Sequence, residues 1–149
     1  MRLADVLKVE RIRTDLSAKD KEGTLRALAR LFAEGDRVLD EEAVYRAFSE
    51  RERMASTGVG SGIAIPHGRD DKDEFRVVLA ISPEGVPFDS IDGQLAHIFV
   101  AVLGPLGNPA DQLRMLARIS RVLRDQAVRR RLLAAGSSED ALQIVVEEE

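Results

Sequence analysis

An α+β fold, with a mixed β-sheet held as the middle of three layers (α/β/α), is predicted by three observations. Apolar runs of strand length cluster in the middle of a 149-residue chain. Segments with helical periodicity lie before and after that cluster, which implies helices on both faces of the sheet. Hydrophobic residues make up 44% of the chain, enough to build a core at a length that fits a single domain, residues 1–149. No internal repeat, low-complexity stretch or long linker divides it.

The elements follow in order. Leu3 to Leu7 reads as a short helix and Arg11 to Leu16 as a short strand. Ser17 opens a helix, with Asp20 as a capping-box partner three residues on. Leu25, Leu28, Ala29, Leu31 and Phe32 form its apolar stripe and Gly35 its stop. Asp40 caps a second helix, Glu41 to about Arg53, with Val44, Ala47 and Phe48 inward. A glycine-rich loop, Ser56 to Gly62, runs into a buried strand, Ile63 to Ile65, which Pro66 ends because it cannot donate to a ladder. Phe75 to Ser82 is the next strand, and Gly85 and Pro87 mark the turn to Ala96–Leu103. The latter is apolar on both faces and therefore central. Asn108 caps and Pro109 starts a helix to about Arg124. A further helix runs from Gln126 to Ala135 and stops at Gly136, and Ser137 or Ser138 caps the last, which ends in Glu147, Glu148 and Glu149.

Composition excludes several kinds of chemistry. There is no Cys, so disulfides, thiolate nucleophiles and zinc fingers are ruled out. There is no Trp and one Tyr, which leaves few rings on which nucleic-acid bases could stack. No apolar run reaches the ~20 residues of a spanning helix, and the first residues are no signal peptide, so a cytoplasmic protein with no membrane insertion is expected. No cofactor and no metal site is expected. Only His67 and His97 carry an imidazole, and proton-shuttling or nucleophilic imidazole chemistry must pass through one of them.

The informative segment runs from Glu52 to Gly68. Read physically, it is a glycine loop, a buried strand and an imidazole at the strand exit. Pro66 restricts Ile65 to extended backbone, and Gly68 removes a Cβ beside the ring so that another molecule can approach. A neutral imidazole held this way can attack phosphorus, and phosphoryl transfer needs mainly positioning and charge stabilisation. The glycine loop lacks the lysine of a P-loop and the strand-before-helix context of a dinucleotide site.

Glu52, Val59, Gly60, Ile63, Ala64, Ile65, Pro66, His67 and Gly68 fill every specified position of a known signature. The segment resembles the fructose/mannitol-type enzyme IIA domain of the bacterial phosphoenolpyruvate-dependent phosphotransferase system. Phe88 to Gln94 and Arg130-Arg131-Leu132 resemble its stand-alone nitrogen-regulatory branch. The resemblance implies a phosphocarrier. A phosphohistidine carrier protein, HPr or its nitrogen-branch counterpart, would pass a phosphoryl group to His67. A IIB-type acceptor or a regulatory protein would receive it or read it as a signal. Arg51 matches the family arginine sixteen residues before the active histidine, where a guanidinium fork would neutralise phosphoryl oxygens. Ser56 and Thr57 could supply further donors to the phosphate.

One position departs from the family. Many members carry a second histidine near the start of the helix after the central strand, and Gln112 stands there. Its amide can donate to a phosphate oxygen but cannot take up charge. His97 opens the central strand, roughly 20 Å from that strand's far end at ~3.3 Å per residue, and is expected to play a structural part. Arg114, Arg118 and Arg121 recur at helical spacing and Arg124, Arg129, Arg130 and Arg131 follow, so residues 110–136 carry about +5 of a net −4 chain. That stripe is either a solvated face or a docking surface for an acidic partner; nucleic acid is not expected, given the pI of 5.3. Two functions remain open: a phosphoryl-carrying transferase component in sugar uptake or regulation, and a regulatory interaction module of the same fold, which Gln112 favours. The oligomeric state is left open.

Overall fold

A computed structural model describes residues 1–149. Helices α1 (Leu3–Val6), α2 (Lys21–Glu34) and α3 (Glu41–Met54) precede most of the sheet, and α4 (Pro109–Leu123), α5 (Gln126–Leu133) and α6 (Ser138–Glu148) follow it. The strands are β1 (Ile12–Arg13), β2 (Gly58–Gly60), β3 (Ile63–Ala64), β4 (His67–Asp70), β5 (Arg76–Val86) and β6 (Ala96–Pro105). Their order is β1-β5-β6-β3-β2, and β4 pairs with β6 beyond the end of β3. The sheet is mixed: β5 and β6 are antiparallel, whereas β1 on β5 and both β3 and β4 on β6 are parallel.

The central strands separate two cores by strict alternation. Val77, Leu79 and Ile81 of β5 and Ile98, Val100 and Val102 of β6 pack with Met115, Ile119, Val128 and Ile144 beneath α4, α5 and α6. Val78, Ala80, Phe99, Ala101 and Leu103 pack with Leu28, Phe32, Val44 and Phe48 beneath α2 and α3. Helices therefore cover both faces, as the position of the apolar runs implied.

Several boundaries differ from the expectation. Helix α2 begins at Lys21, not Ser17, because Asp20 is itself the N-cap: its side chain accepts from the Gly23 N–H at 2.7 Å. Asp40 stands at the N-cap of α3 but makes no side-chain cap bond. Ser137 caps α6 by accepting from the Asp140 N–H, while the Ser138 hydroxyl donates to the Ile12 carbonyl. Strand β5 continues through Gly85 by an irregularity of register against β6, so the turn begins later than expected. Part of the glycine loop is strand: β2 and β3 form a hairpin over Ser61 and Gly62, both at positive φ, as a two-residue primed turn requires.

The difference that matters for the site lies at Pro66. The chain does not leave the sheet there. After Ile65 and Pro66 interrupt the ladder it resumes as β4, with His67 opposite Val102 and Asp70 opposite Pro105. His-Gly-Arg-Asp shows no apolar alternation, and β4 pairs with β6 alone. Its pairing is a tertiary effect of the β6 backbone that local propensity does not announce.

Candidate functional site

His67 opens β4 and lies half-buried against the last turns of α3. Its Nδ1 is 2.8 Å from the Ile65 carbonyl oxygen. A carbonyl only accepts, so Nδ1 carries the proton and Nε2 holds the lone pair. The Arg51 Nε–H donates to that Nε2 at 3.1 Å, and the same guanidinium is steadied by donating from Nη1 to the Ala55 carbonyl at 2.9 Å. Burial pushes the His67 pKa below its ordinary value, and the positive charges of Arg51 and Arg69 push the same way, against the Ile65 hydrogen bond and the Glu52 charge. A neutral ring whose Nε2 lone pair carries no proton is the nucleophilic form.

The ring faces a cleft of about 530 Å³. Its walls include Arg51, Met54, Arg69, Gln112 and Leu113. Arg51, His67 and Gln112, distant in sequence, are thus brought together. Arg69 was not anticipated; it shares the ring's side of β4 by period-two alternation, a signal hidden while β4 was unrecognised. Met54 stands three residues after Arg51 on α3, on the same helical face.

Gln112, buried on the first turns of α4, donates from Nε2 to the Gly68 carbonyl at 3.2 Å, while its Oε1 has no partner. The side chain lies over Gly104, where any Cβ would collide with Oε1 and with the Phe75 ring. Gly68 lines the cleft beside the ring and serves a second purpose. A Cβ there would crowd Ala47 at 3.2 Å and Phe48 at 3.5 Å, so the missing side chain also lets α3 close on β4.

Ser56 and Thr57 do not line the cleft. The Ser56 hydroxyl donates to the Phe88 carbonyl at 2.8 Å and accepts from the Gly58 N–H at 3.0 Å. Thr57 is buried, and both its hydroxyl and its N–H donate to the Glu52 carboxylate. His97 lies elsewhere, its Nδ1 3.0 Å from the Ser82 carbonyl, on a part of β6 that pairs with β5 and follows the β2–β3 turn. Much of the basic stripe is consumed internally. Arg114 pairs with Asp111, Arg118 with Glu149, and Arg131 with Glu147 and Glu148, and Arg129 donates to the Leu123 and Arg124 carbonyls.

Residues 5–148 match the family described as "Phosphoenolpyruvate-dependent sugar phosphotransferase system, EIIA 2". The chain belongs to this EIIA family. It is 34% identical to a nitrogen regulatory protein of Klebsiella oxytoca over 149 residues, spanning 99% of this chain and 91% of the relative. It is also 34% identical to a fructose-specific EIIA component of Haloferax volcanii over 146 residues, spanning 97% and 95%. The crystal structure of the nitrogen regulatory protein IIA-Ntr from Neisseria meningitidis superposes with a TM-score of 0.89 at 25% identity, covering 96% of this chain and 98% of that one. As an EIIA protein it is a phosphotransferase-system component, in a family that holds both nitrogen-regulatory and sugar-specific members. No helix is long and apolar enough to cross a membrane.

Proposed function

We propose that the chain, acting as one unit over residues 1–149 in the cytoplasm, accepts a phosphoryl group on His67 Nε2 from an HPr-type phosphohistidine carrier. It then passes the group to a IIB-type acceptor or holds it as a signal read by a regulatory protein. The observation that carries this reading is the tautomer: Nδ1–H on the Ile65 carbonyl leaves the Nε2 lone pair turned to an open cleft with Arg51 beside it. Arg51 can shift its N–H from the lone pair to the phosphoryl oxygens as the P–N bond forms, and Arg69 adds positive charge at the rim. Ser56 and Thr57 act in this reading as staples of the loop. Exposed Met54, Leu106 and Leu113 surround the opening, an apolar rim suited to a docking protein.

The test is incubation with phosphoenolpyruvate, enzyme I and an HPr-type carrier. The expected product is one acid-labile, alkali-stable phosphate that is absent from His67→Ala; no label, or label that persists in that variant, overturns the reading. A regulatory interaction module with little phosphorylation is the second reading, supported by the neutral Gln112 in the place of a titratable partner. It predicts binding to a kinase, channel or transcription regulator that His67→Ala leaves intact.

A further inference from the structure

We propose that Glu52 is a positioning residue for phosphoryl transfer, fixing the Nδ1 side of the His67 ring through Thr57 and Ile65 while its neighbour Arg51 engages Nε2. This rests on the reading of His67 as phosphoryl acceptor.

The connection is a run of short contacts. The Glu52 carboxylate is 5% exposed. It accepts from the Thr57 N–H at 2.8 Å and from the Thr57 hydroxyl. The Thr57 carbonyl accepts from the Ile65 N–H at 3.0 Å. The Ile65 carbonyl accepts from His67 Nδ1–H at 2.8 Å. Each link sets the position of the next, so the acceptor that selects the ring's tautomer is anchored on a buried carboxylate. Consecutive residues in the last turn of α3 thereby hold both nitrogens of one imidazole, Arg51 directly and Glu52 through two backbone groups.

A buried carboxylate needs compensation, and Lys21 at the start of α2 supplies it, with Nζ 2.9 Å from Glu52 Oε1. Lys21 also lies 4.9 Å from the centre of the Phe88 ring, and the Phe88 carbonyl accepts from the Ser56 hydroxyl. Helices α2 and α3, the glycine loop and the Phe88 segment thus converge on this one side chain.

The tautomer decides reactivity. In the transfer, the Nε2 lone pair forms the new P–N bond as the donor's P–N bond breaks, and the donor ring nitrogen keeps the departing pair. Nδ1 retains its proton, so the phosphorylated ring becomes cationic. Were the Ile65 carbonyl displaced, the proton could sit on Nε2 and no pair would face the phosphorus. The Glu52 charge also favours the cationic ring, opposing Arg51 and Arg69.

The two histidines make the test tractable, because ring-15N-labelled protein gives only His67 and His97 signals and His67→Ala assigns them. In Glu52→Ala the His67 signal should move from the Nδ1–H pattern to a mixture of tautomers, and labelling from phospho-HPr should slow roughly tenfold or more. Glu52→Gln retains one amide oxygen to accept from the Thr57 N–H, and loses the charge and the second acceptor that takes the Thr57 hydroxyl. It should keep the Nδ1–H pattern and slow labelling to a lesser degree, about threefold. A thermal melt monitors folding of each variant. Wild-type labelling rates in both variants overturn the proposal; so does a wild-type rate in Glu52→Gln alone if Glu52→Ala fails to fold, and so does an unchanged tautomer in folded Glu52→Ala. If wild-type protein takes no label, the phosphocarrier reading fails, and the tautomer measurement still judges the grip of Glu52 on the ring.

Discussion

At the scale of the single residue, the governing fact is that His67 is neutral and singly protonated at Nδ1. Its pKa lies below the ordinary 6.5, chiefly through burial. Labelling of His67 should therefore stay level as pH falls through neutrality and decline only below that ordinary value, a profile that rate measurements from pH 8 to pH 5 will check. The same shift bears on stability. Between the two pKa values the unfolded chain binds a proton that folded His67 refuses, so the fold loses stability as pH drops below about 6.5, until the folded pKa is passed. Urea midpoints across that range should fall less steeply for His67→Gln than for wild type. Gln112 offers the complementary test. Its amide is held by the Gly68 carbonyl and cannot exchange a proton. Gln112→His should change both the rate of phosphorylation of His67 and the rate of its dephosphorylation, and to different degrees at pH 6 and pH 8. Rates that match wild type at both would show that this position takes no part.

At the scale of the element, β4 and α4 meet through Gln112, and β6 makes room for it at Gly104. Gly104→Ala should drive its Cβ into Gln112 Oε1 and the Phe75 ring. A cost of about 1–3 kcal/mol, read from denaturant unfolding, is expected from such overpacking, with slower labelling of His67. All six helices, the two long strands and the short strands β1 and β3 were legible in the sequence because amphipathic stripes, caps and apolar runs announce them. Strands β2 and β4 were not. His67 to Asp70 carries two charges, a glycine and a half-buried ring, and only the β6 backbone makes it a strand. The site was legible to a similar depth. Arg51, His67 and Gln112 could be named from the resemblance to the EIIA family and do converge. Arg69 could not, since its direction depends on β4. The hydroxyls of Ser56 and Thr57 look like phosphate donors in a glycine loop, and only the fold reveals Glu52 and Phe88 as their partners.

At the scale of the whole molecule, α1 and the end of α6 are tied together by Glu149. The Glu149 carboxylate, 2% exposed, accepts from the Leu3 and Ala4 N–H groups at 2.5 and 2.9 Å and pairs with Arg2 and Arg118. Glu149→Ala should lower stability by about 1–3 kcal/mol, as expected for losing charge-assisted bonds to buried groups. It should also speed amide exchange at Leu3 and Ala4 while leaving the labelling rate of His67 unchanged. Four residues make a helix far too short to persist alone in water. Helix α1 therefore has no reason to form until α6 has docked and delivered Glu149, 146 residues away in sequence. During synthesis Leu3 to Val6 must wait, uncoiled, until α6 has left the ribosome. Its locking then follows the docking of α6 rather than preceding it.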